Sequence, residues 1–376
     1  MLNYTTKLIW LLVSPKDSLT HYLLTFSRKS ITFASRKIYI NNMEHHETYV
    51  EQRNRLAYET MAKQVALGHR KLSYELFKRL ARNHQGYFRE HILHVECHQY
   101  PNVLTHNDAA KGLIFFDGFR QDIMEELKKP VPVTSTAPSG QMLTNLLRSE
   151  HIPYNVFFPM KKDLEGCKQL FNAIFGREEV AKAQDILIEY HPEPIEEYLN
   201  DHTAFDVYIQ YLNNDKQPCG IGIEVKYTEK EYPLIPNSRE YSHVKDENGN
   251  TRLSGAYSRV TNDCNYYKDD VSLDDLVSNK FRQIWRNHIL GASMVLHGDL
   301  AKFTSITFYP QENIHFSMDA MPAYQELLNE RGRSTFIALN YETMFELMAQ
   351  HLHVDHQEAW IDYLKNRYLF TYPKLW

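Results

Sequence analysis

The sequence predicts an α/β fold in which a mixed central sheet is flanked by helices. Apolar residues three and four positions apart dominate residues 47–130, and short β-rich runs alternate with helical segments after residue 180. Of the 376 residues, 43% are hydrophobic and 24% are charged, which excludes wholesale disorder and supplies a large core. The succession of helices, strands, a helix and a further strand is typical of an α/β core with helical additions.

The chain divides into three predicted regions. Residues 1–42 contain six basic residues and one acid, so we predict a poorly ordered or non-native extension, with a basic arm that touches nucleic acid as the alternative. Residues 43–135 are predicted to be a helical N-terminal region. Residues 136–376 contain the α/β domain. Within that domain, residues 229–270 are polar, turn-rich and too long for a tight connection, so we predict an insertion.

Local patterns predict the elements of the α/β domain in order. Leucines three and four positions apart indicate a helix over residues 141–150, and Gly176 closes a second helix over 161–175. Runs rich in β-branched and aromatic residues, bounded by Pro, Asn, Asp and Gly, indicate strands. The expected strands are 185–190, 203–212, 219–228, 303–310 and 334–339. Further helices are expected at 272–295, at 319–330 and in two closing segments.

Composition excludes several classes of protein. The net charge of −5 is not that of a uniformly basic nucleic-acid coat, so a polyanionic partner would need a local patch or metal ions. The four cysteines form no CxxC pair, which is typical of a reducing compartment. No apolar run approaches the ~20 residues that cross a bilayer, and neither a P-loop nor a GxGxxG motif is present. We therefore expect a cytoplasmic protein with no membrane association and no nucleotide cofactor.

Two strands carry polar residues at alternating positions. In the run 219–228, Ile221, Ile223 and Val225 point to one face, whereas Glu224 and Lys226 point to the other, next to two glycines that are expected to leave open space. In the run 203–212, alternation places Phe205 on the face of the apolar residues and Asp206 on the opposite face. Each strand therefore presents a carboxylate on its polar face.

The connection between these strands predicts how the carboxylates meet. The turn signal around Asp215 indicates an antiparallel hairpin, which places Asp206 opposite Glu224 at a Cβ separation of about 5 Å. Two carboxylates at that distance repel by about 3 kcal/mol at an effective dielectric constant of about 20, and Lys226 offsets only one of the charges. A divalent ion bound by oxygen ligands, Mg²⁺ or Mn²⁺, would remove the remainder. The alternative is a buried Asp–Lys–Glu network or a polar strand face that is simply solvated.

The wider context of these residues resembles the PD-(D/E)xK nuclease superfamily, which has the restriction-endonuclease-like fold. The helix, the hairpin bearing Asp206 and Glu224-Val225-Lys226, the next helix and the next strand match its motif. The residue before the motif aspartate is Phe205 rather than Pro. Five flanking segments are similar to a bacterial family of restriction endonucleases within it. They are "SEHIPYNVFFP" (149–159), "TAFDVYI" (203–209), "IGIEVKYTE" (221–229), "QIWRNHIL" (283–290) and "FYPQEN" (308–313).

The resemblance implies metal-dependent hydrolysis of phosphodiester bonds. It implies that Asp206, Glu224 and the backbone carbonyl of Val225 hold the metal ion, and that Lys226 orients or helps to deprotonate the attacking water. The ion would act as a Lewis acid and lower the pKa of that water. Glu150 is the candidate for the helix-borne acid of the superfamily, as a catalytic residue and metal ligand; a surface residue is the alternative.

A predicted helix supplies the remaining candidates. Gln283 is the candidate that supports the active-site lysine or water, and Asn287 follows it on the same helix face. Arg282 and Arg286 lie on the adjoining face and are predicted to contact backbone phosphates. An amphipathic helix with solvated polar residues is the alternative.

Two further functions compete with a DNA endonuclease of restriction or defence type. The first is a catalytically inactive nuclease-fold protein that binds nucleic acid or a protein partner. The second is a zinc-stabilised helical interaction protein, in which His91, His94 and His98 lie at helical spacing beside Cys97, or in which the residues of "HLHVDH" (351–356) bind the ion. DNA is the expected partner of the nuclease. A homodimer is also expected, because a double-strand cutter often needs two active sites.

Overall fold

The computed structural model describes residues 21–27, 30–36, 47–66, 73–129, 140–230, 233–236 and 238–370. The chain divides into two compact units, residues 1–47 and 48–376. In the first unit, strands β1 (His21–Ser27) and β2 (Ser30–Arg36) pair antiparallel. The rest of the predicted extension at 1–42 lies outside the described residues.

The second unit contains a five-stranded mixed sheet. Its strands are β3 (Lys182–Tyr190), β4 (Phe205–Leu212), β5 (Pro218–Val225), β6 (Lys302–Tyr309) and β7 (Phe336–Asn340). They lie in the order β3-β4-β5-β6-β7, with β3, β4 and β5 antiparallel and β5, β6 and β7 parallel. All five predicted strands are present, and the α/β class with a mixed central sheet is confirmed.

Helices pack around this sheet. They are α1 (Tyr49–Ala66), α2 (Tyr74–His91), α3 (His106–Ala110), α4 (Asp117–Glu126), α5 (Ile152–Val156), α6 (Leu164–Phe175), α7 (Arg239–Val244), α8 (Ala256–Cys264), α9 (Leu273–Leu276), α10 (Arg282–His297), α11 (Met321–Leu327), α12 (Glu330–Arg333), α13 (Tyr341–His351) and α14 (Gln357–Tyr368). Short 3₁₀ segments are Phe158–Lys162 and Ile195–Glu197, and a π-helical segment is His315–Ala320. No described helix is long and apolar enough to cross a bilayer.

The two faces of the sheet bury separate apolar clusters. Val207, Ile221 and Ile223 pack on the first face with residues of α6, α13 and α14, as alternation along the strands predicts. The second face is covered by α10, with Trp285 and Ile289 buried against the aromatic residues of the sheet. The sheet is therefore buried on both sides, and only the ends of its strands are available for a site.

The second face also corrects two expectations. Phe205 packs with Tyr208 on this face, rather than with Val207 on the first. The glycines of β5 do not leave open space: a Cβ atom at Gly222 would lie 2.5 Å from Cδ1 of Phe205, and one at Gly220 would meet the ring of Tyr208. These glycines therefore make room for aromatic rings of the core.

Two predicted helices differ in the structure. Residues 141–150 form turns instead of a helix, because their backbone pairs with residues 102–104: Leu104 N–H donates to Thr144 O and Leu146 N–H donates to Asn102 O. The single helix expected over 272–295 is divided into α9 and α10, and the break lies at residues 277–281. The insertion predicted at 229–270 contains two helices, α7 and α8.

The helical N-terminal region is not a separate unit, since residues 48–376 form one compact body. From α2, the Gln85 amide donates hydrogen bonds to the Tyr227 hydroxyl at 2.7 Å and to the Arg367 carbonyl at 2.6 Å. Tyr227 is the second residue after β5, and Arg367 lies on α14. The boundary expected at residues 135 and 136 lies outside the described residues.

Candidate active site

The β4–β5 hairpin brings two carboxylates together. Val207 pairs with Ile223 in the observed register, and continuing that register places Asp206 opposite Glu224, as predicted. One oxygen of Asp206, Oδ2, accepts a hydrogen bond from Val225 N–H at 2.6 Å. Burial raises the pKa of Asp206 well above its ordinary value, and the charges of Glu224 and Glu189 raise it further. Asp206 thus lies among carboxylates with too little positive charge around it.

Lys226 lies beside this pair at the end of β5. Its Nζ is 2.5 Å from Glu224 Oε1 and donates to Gln283 Oε1 at 2.7 Å. Lys226 is 5% exposed and Glu224 is 8% exposed, so their charges are largely removed from water. Burial disfavours the ammonium, but Glu224 and Asp206 raise the pKa of Lys226 above its ordinary value. The side chain is therefore held as a cation.

Helix α10 supplies two neutral side chains that form hydrogen bonds with this ion pair. Gln283 binds Lys226, and one turn later the Asn287 amide donates to Glu224 Oε2. The predicted role of Gln283 as a support for the active-site lysine agrees with this geometry. Asn287 supports the Glu224 carboxylate in the same way. Its position four residues after Gln283 predicts that both side chains lie on one helix face.

The backbone around Lys226 is fixed from three directions. Its carbonyl accepts a hydrogen bond from the Tyr341 hydroxyl at 2.6 Å, and its N–H donates to Phe308 O at 2.8 Å. The Asn313 amide then donates to Tyr227 O at 2.9 Å and to Glu229 O at 3.1 Å. These bonds come from distant segments, and they hold the lysine-bearing strand in place.

Glu189 is the acid that the sequence interpretation missed. It lies near the end of β3, where the pairing of Ile188 with Val207 continues to place Glu189 beside Asp206. Burial, then the charges of Glu224 and Glu150, raises the pKa of Glu189 to about 7. Its backbone has a φ of 54°, a left-handed conformation that is uncommon for glutamate. Such strain clusters at functional sites.

Glu150 lies in a turn before α5, so the prediction that it ends a helix is wrong. Its carboxylate accepts hydrogen bonds from Arg148 at 2.9 and 3.1 Å. It nevertheless acts electrostatically on Glu189, which places it at the edge of the carboxylate group.

The two predicted phosphate-binding arginines lie beside Glu240, and of the two only Arg286 is partly exposed. Arg282 is 2% exposed; its guanidinium donates to Glu240 Oε1 and to Asn279 Oδ1, each at 2.7 Å. Arg286 Nη1 lies 3.4 Å from the same Glu240 oxygen. A direct contact of Arg282 with phosphate would require its ion pair with Glu240 to open.

The residues present fit a divalent ion by their chemistry. Asp206, Glu224 and Glu189 come from three adjacent strands, and burial together with the neighbouring carboxylates raises the pKa values of Asp206 and Glu189. Oxygen donors of this kind are what Mg²⁺ and Mn²⁺ prefer. In the described part of the chain no three His, Cys, Asp or Glu side chains are already arranged around one point, so binding would require these carboxylates to rotate.

The two histidine clusters give no support to the zinc alternative. Helix α2 ends at His91, and His94 has a φ of 54°, so His91, His94 and His98 do not share a helix face. His351 and His356 belong to different helix ends, the C-terminus of α13 and the N-cap of α14.

Comparison with known proteins agrees with the geometry. A family model described as the PD-(D/E)XK nuclease superfamily matches residues 72–370, which is most of the chain. No curated protein and no solved structure gave a significant match. The matched range includes α2, the five-stranded sheet and α10. The chain therefore belongs to the PD-(D/E)XK nuclease superfamily.

Proposed function

We propose that this protein is a divalent-metal-dependent endonuclease of restriction or defence type that cuts DNA. The observation that carries the proposal is the facing pair of Asp206 and Glu224 beside an ammonium, Lys226, that Gln283 holds in place. Members of the superfamily hydrolyse phosphodiester bonds and typically use divalent metals. Supporting evidence for the metal is the unbalanced negative charge of the three carboxylates.

The carboxylates and the ammonium have distinct roles in this proposal. Asp206 and Glu224, with the Val225 carbonyl, would hold the ion, and Glu189 is a better placed third acid than Glu150. When bound, the ion would supply Lewis acidity and a water of lowered pKa. Lys226 is held as a cation, so as the site stands it orients water and stabilises negative charge on the phosphoryl oxygens, and it is not a base.

The central experiment is a cleavage assay. Supercoiled plasmid incubated with the protein and Mg²⁺ or Mn²⁺ should be nicked or linearised, and EDTA should stop the reaction. If neither DNA nor RNA is cut under any of these conditions, the rival reading of an inactive nucleic-acid-binding or protein-binding relative is favoured instead. One zinc ion bound per chain would revive the zinc-stabilised alternative.

A lysine variant tests the assigned chemistry. Lys226→Ala should reduce the cleavage rate at least about a hundredfold, because no other ammonium is bound to Glu224 among the described residues. Lys182→Ala is the matched control: Lys182 is exposed at the start of β3, away from the site. Circular dichroism should show that both variants are folded, and full activity of Lys226→Ala would reject the role.

The predicted homodimer belongs to the same proposal. Two active sites are needed if both strands are cut in one encounter. Light scattering should give twice the chain mass, in the absence or presence of DNA, if the enzyme linearises plasmid without a nicked intermediate.

A further inference from the structure

A group of cationic and aromatic side chains lies beside the candidate active site. At its centre is Tyr74, the first residue of α2. The Tyr74 hydroxyl donates a hydrogen bond to the Thr228 carbonyl at 2.6 Å, and Thr228 lies two residues beyond Lys226. We refer to the group as the Tyr74 cluster. Its members are Tyr74, Lys78, Lys230, Lys280 and His315.

Two ammonium groups lie over the ring of Tyr74. Lys230 Nζ is 5.0 Å from the ring centroid and Lys78 Nζ is 5.4 Å from it, both within the usual cation–π range of about 6 Å. Neither lysine forms an ion pair with a carboxylate within the part of the chain that the structure describes. Two like charges beside one ring, with no acid paired to either, favour the binding of anions.

His315 lies edge-on to the same ring. Its ring centroid is 6.3 Å from that of Tyr74, and its buried Nε2 has no hydrogen-bond partner. Burial, together with the charges of Lys230, Lys280 and Lys226, lowers the pKa of His315 to about 4, although Asp319 opposes this. The potential at the imidazole is therefore positive, even though the ammonium of Lys280 is 2.5 Å from Asp319.

This positive patch differs from the chain as a whole, which has a net charge of −5. We infer that the Tyr74 cluster binds the phosphate backbone of duplex DNA on one side of the bond to be cut. The ammonium groups of Lys78 and Lys230 would contact phosphate oxygens. The inference rests on the proposed function and adds to it the surface that holds the substrate next to Lys226.

Binding without cleavage tests the inference. Fluorescence anisotropy of a labelled DNA duplex, in EDTA and over about 50–200 mM KCl, gives the affinity and its salt dependence. The Lys78→Gln, Lys230→Gln double variant should bind about tenfold more weakly than wild type. The slope of log K against log salt should decrease by about two, since each lost phosphate contact removes about 0.9. Plasmid cleavage should weaken in parallel.

A matched pair of lysines controls for overall charge. Lys182 and Lys216 are exposed at the opposite end of β3, β4 and β5, and the Lys182→Gln, Lys216→Gln variant should keep the wild-type slope. Equal weakening of both double variants would overturn the inference.

The outcomes separate the two proposals. If wild type binds and cuts DNA while the Lys78, Lys230 variant, with an unchanged melting temperature, binds equally well, only the inference fails. If wild type neither binds nor cuts DNA, both the inference and the proposed function fail.

Discussion

Largely buried carboxylates lie near both ends of the β3–β4–β5 part of the sheet. The two ends differ in how nearby cations neutralise these carboxylates. Near the start of β3, Glu179 is bound by Lys302 Nζ at 2.5 Å, by Arg177 at 2.7 Å and by the Tyr211 hydroxyl at 2.9 Å. Burial opposes ionisation of Glu179, but Lys302 and Arg177 together lower its pKa. Two cations here neutralise one acid.

The end that contains Asp206 has the opposite balance. Glu224 and Asp206 lie beside Lys226, Glu189 lies beside Asp206, and the pKa values of Asp206 and Glu189 are raised. Burial opposes ionisation at both ends, but only Glu179 has cations close enough to outweigh it. A carboxylate that stabilises the fold is neutralised by its own protein, whereas the carboxylates of the site leave room for an added positive charge.

The largest expected difference between the ends is in catalysis. Asp206→Asn should lower the cleavage rate at least about a thousandfold, because an isosteric amide removes a charged ligand from the site. Glu179→Gln should change the rate less than about threefold at a temperature where it is folded. Rates are measured on plasmid in Mn²⁺ or Mg²⁺. Similar losses in the two variants would remove the functional distinction between the ends.

Stability should respond in the opposite sense. Glu179→Gln leaves Lys302 and Arg177 without their acid and should lower the free energy of unfolding by about 1 kcal/mol, because both cations remain partly solvated. Asp206→Asn relieves repulsion and should not lower it in metal-free buffer. Urea unfolding monitored by circular dichroism measures both, and a large loss for Asp206→Asn would show that its charge is structurally required.

Metal binding should stabilise the folded protein only through the carboxylates at the end that contains Asp206. At ten times its dissociation constant, Mn²⁺ should raise the free energy of unfolding by about 1.4 kcal/mol. The increase should persist in Glu179→Gln and disappear in Asp206→Asn. A gain that survives in Asp206→Asn would place the bound ion elsewhere.

The smallest expected effect is on the pH dependence of stability. Glu189 has a pKa of about 7 in the folded chain against 4.5 in the unfolded one, so the folded state binds more protons between these values. The free energy of unfolding in EDTA should therefore fall as pH rises from about 4.5 to 7. For Glu189→Gln, the free energy of unfolding should fall less over the same pH range, by about 1 kcal/mol after allowance for solvent screening.

Both curves in that experiment contain the same contribution from Glu342. Its pKa is also raised to about 7, chiefly by burial. The difference between wild type and Glu189→Gln contains the titration of position 189 and its effect on Asp206, and identical curves would contradict the raised pKa of Glu189.

The hairpin could be predicted from the sequence because its information is local. Alternation fixed the face of Glu224 and Lys226, and the turn around Asp215 fixed the register that places Asp206 opposite. Gln283 was found for the same reason, by its spacing on one helix. The superfamily and the mixed sheet followed from the order of these elements.

What escaped prediction depends on contacts between distant segments. Glu189 reaches Asp206 only through the pairing of β3 with β4, across a connection of irregular residues. Residues 141–150 have helical spacing, but their backbone hydrogen bonds go to residues 102–104. The burial of Arg282 depends on Glu240, which belongs to the insertion.

The left-handed backbone at Glu189 has an energetic consequence. A glutamate with a φ of 54° costs on the order of 1–3 kcal/mol in every folded molecule, a cost that glycine would largely avoid. At position 189, thermal stability therefore favours glycine, whereas the proposed role in the site requires glutamate. Directed selection for heat resistance alone should therefore favour glycine at this position.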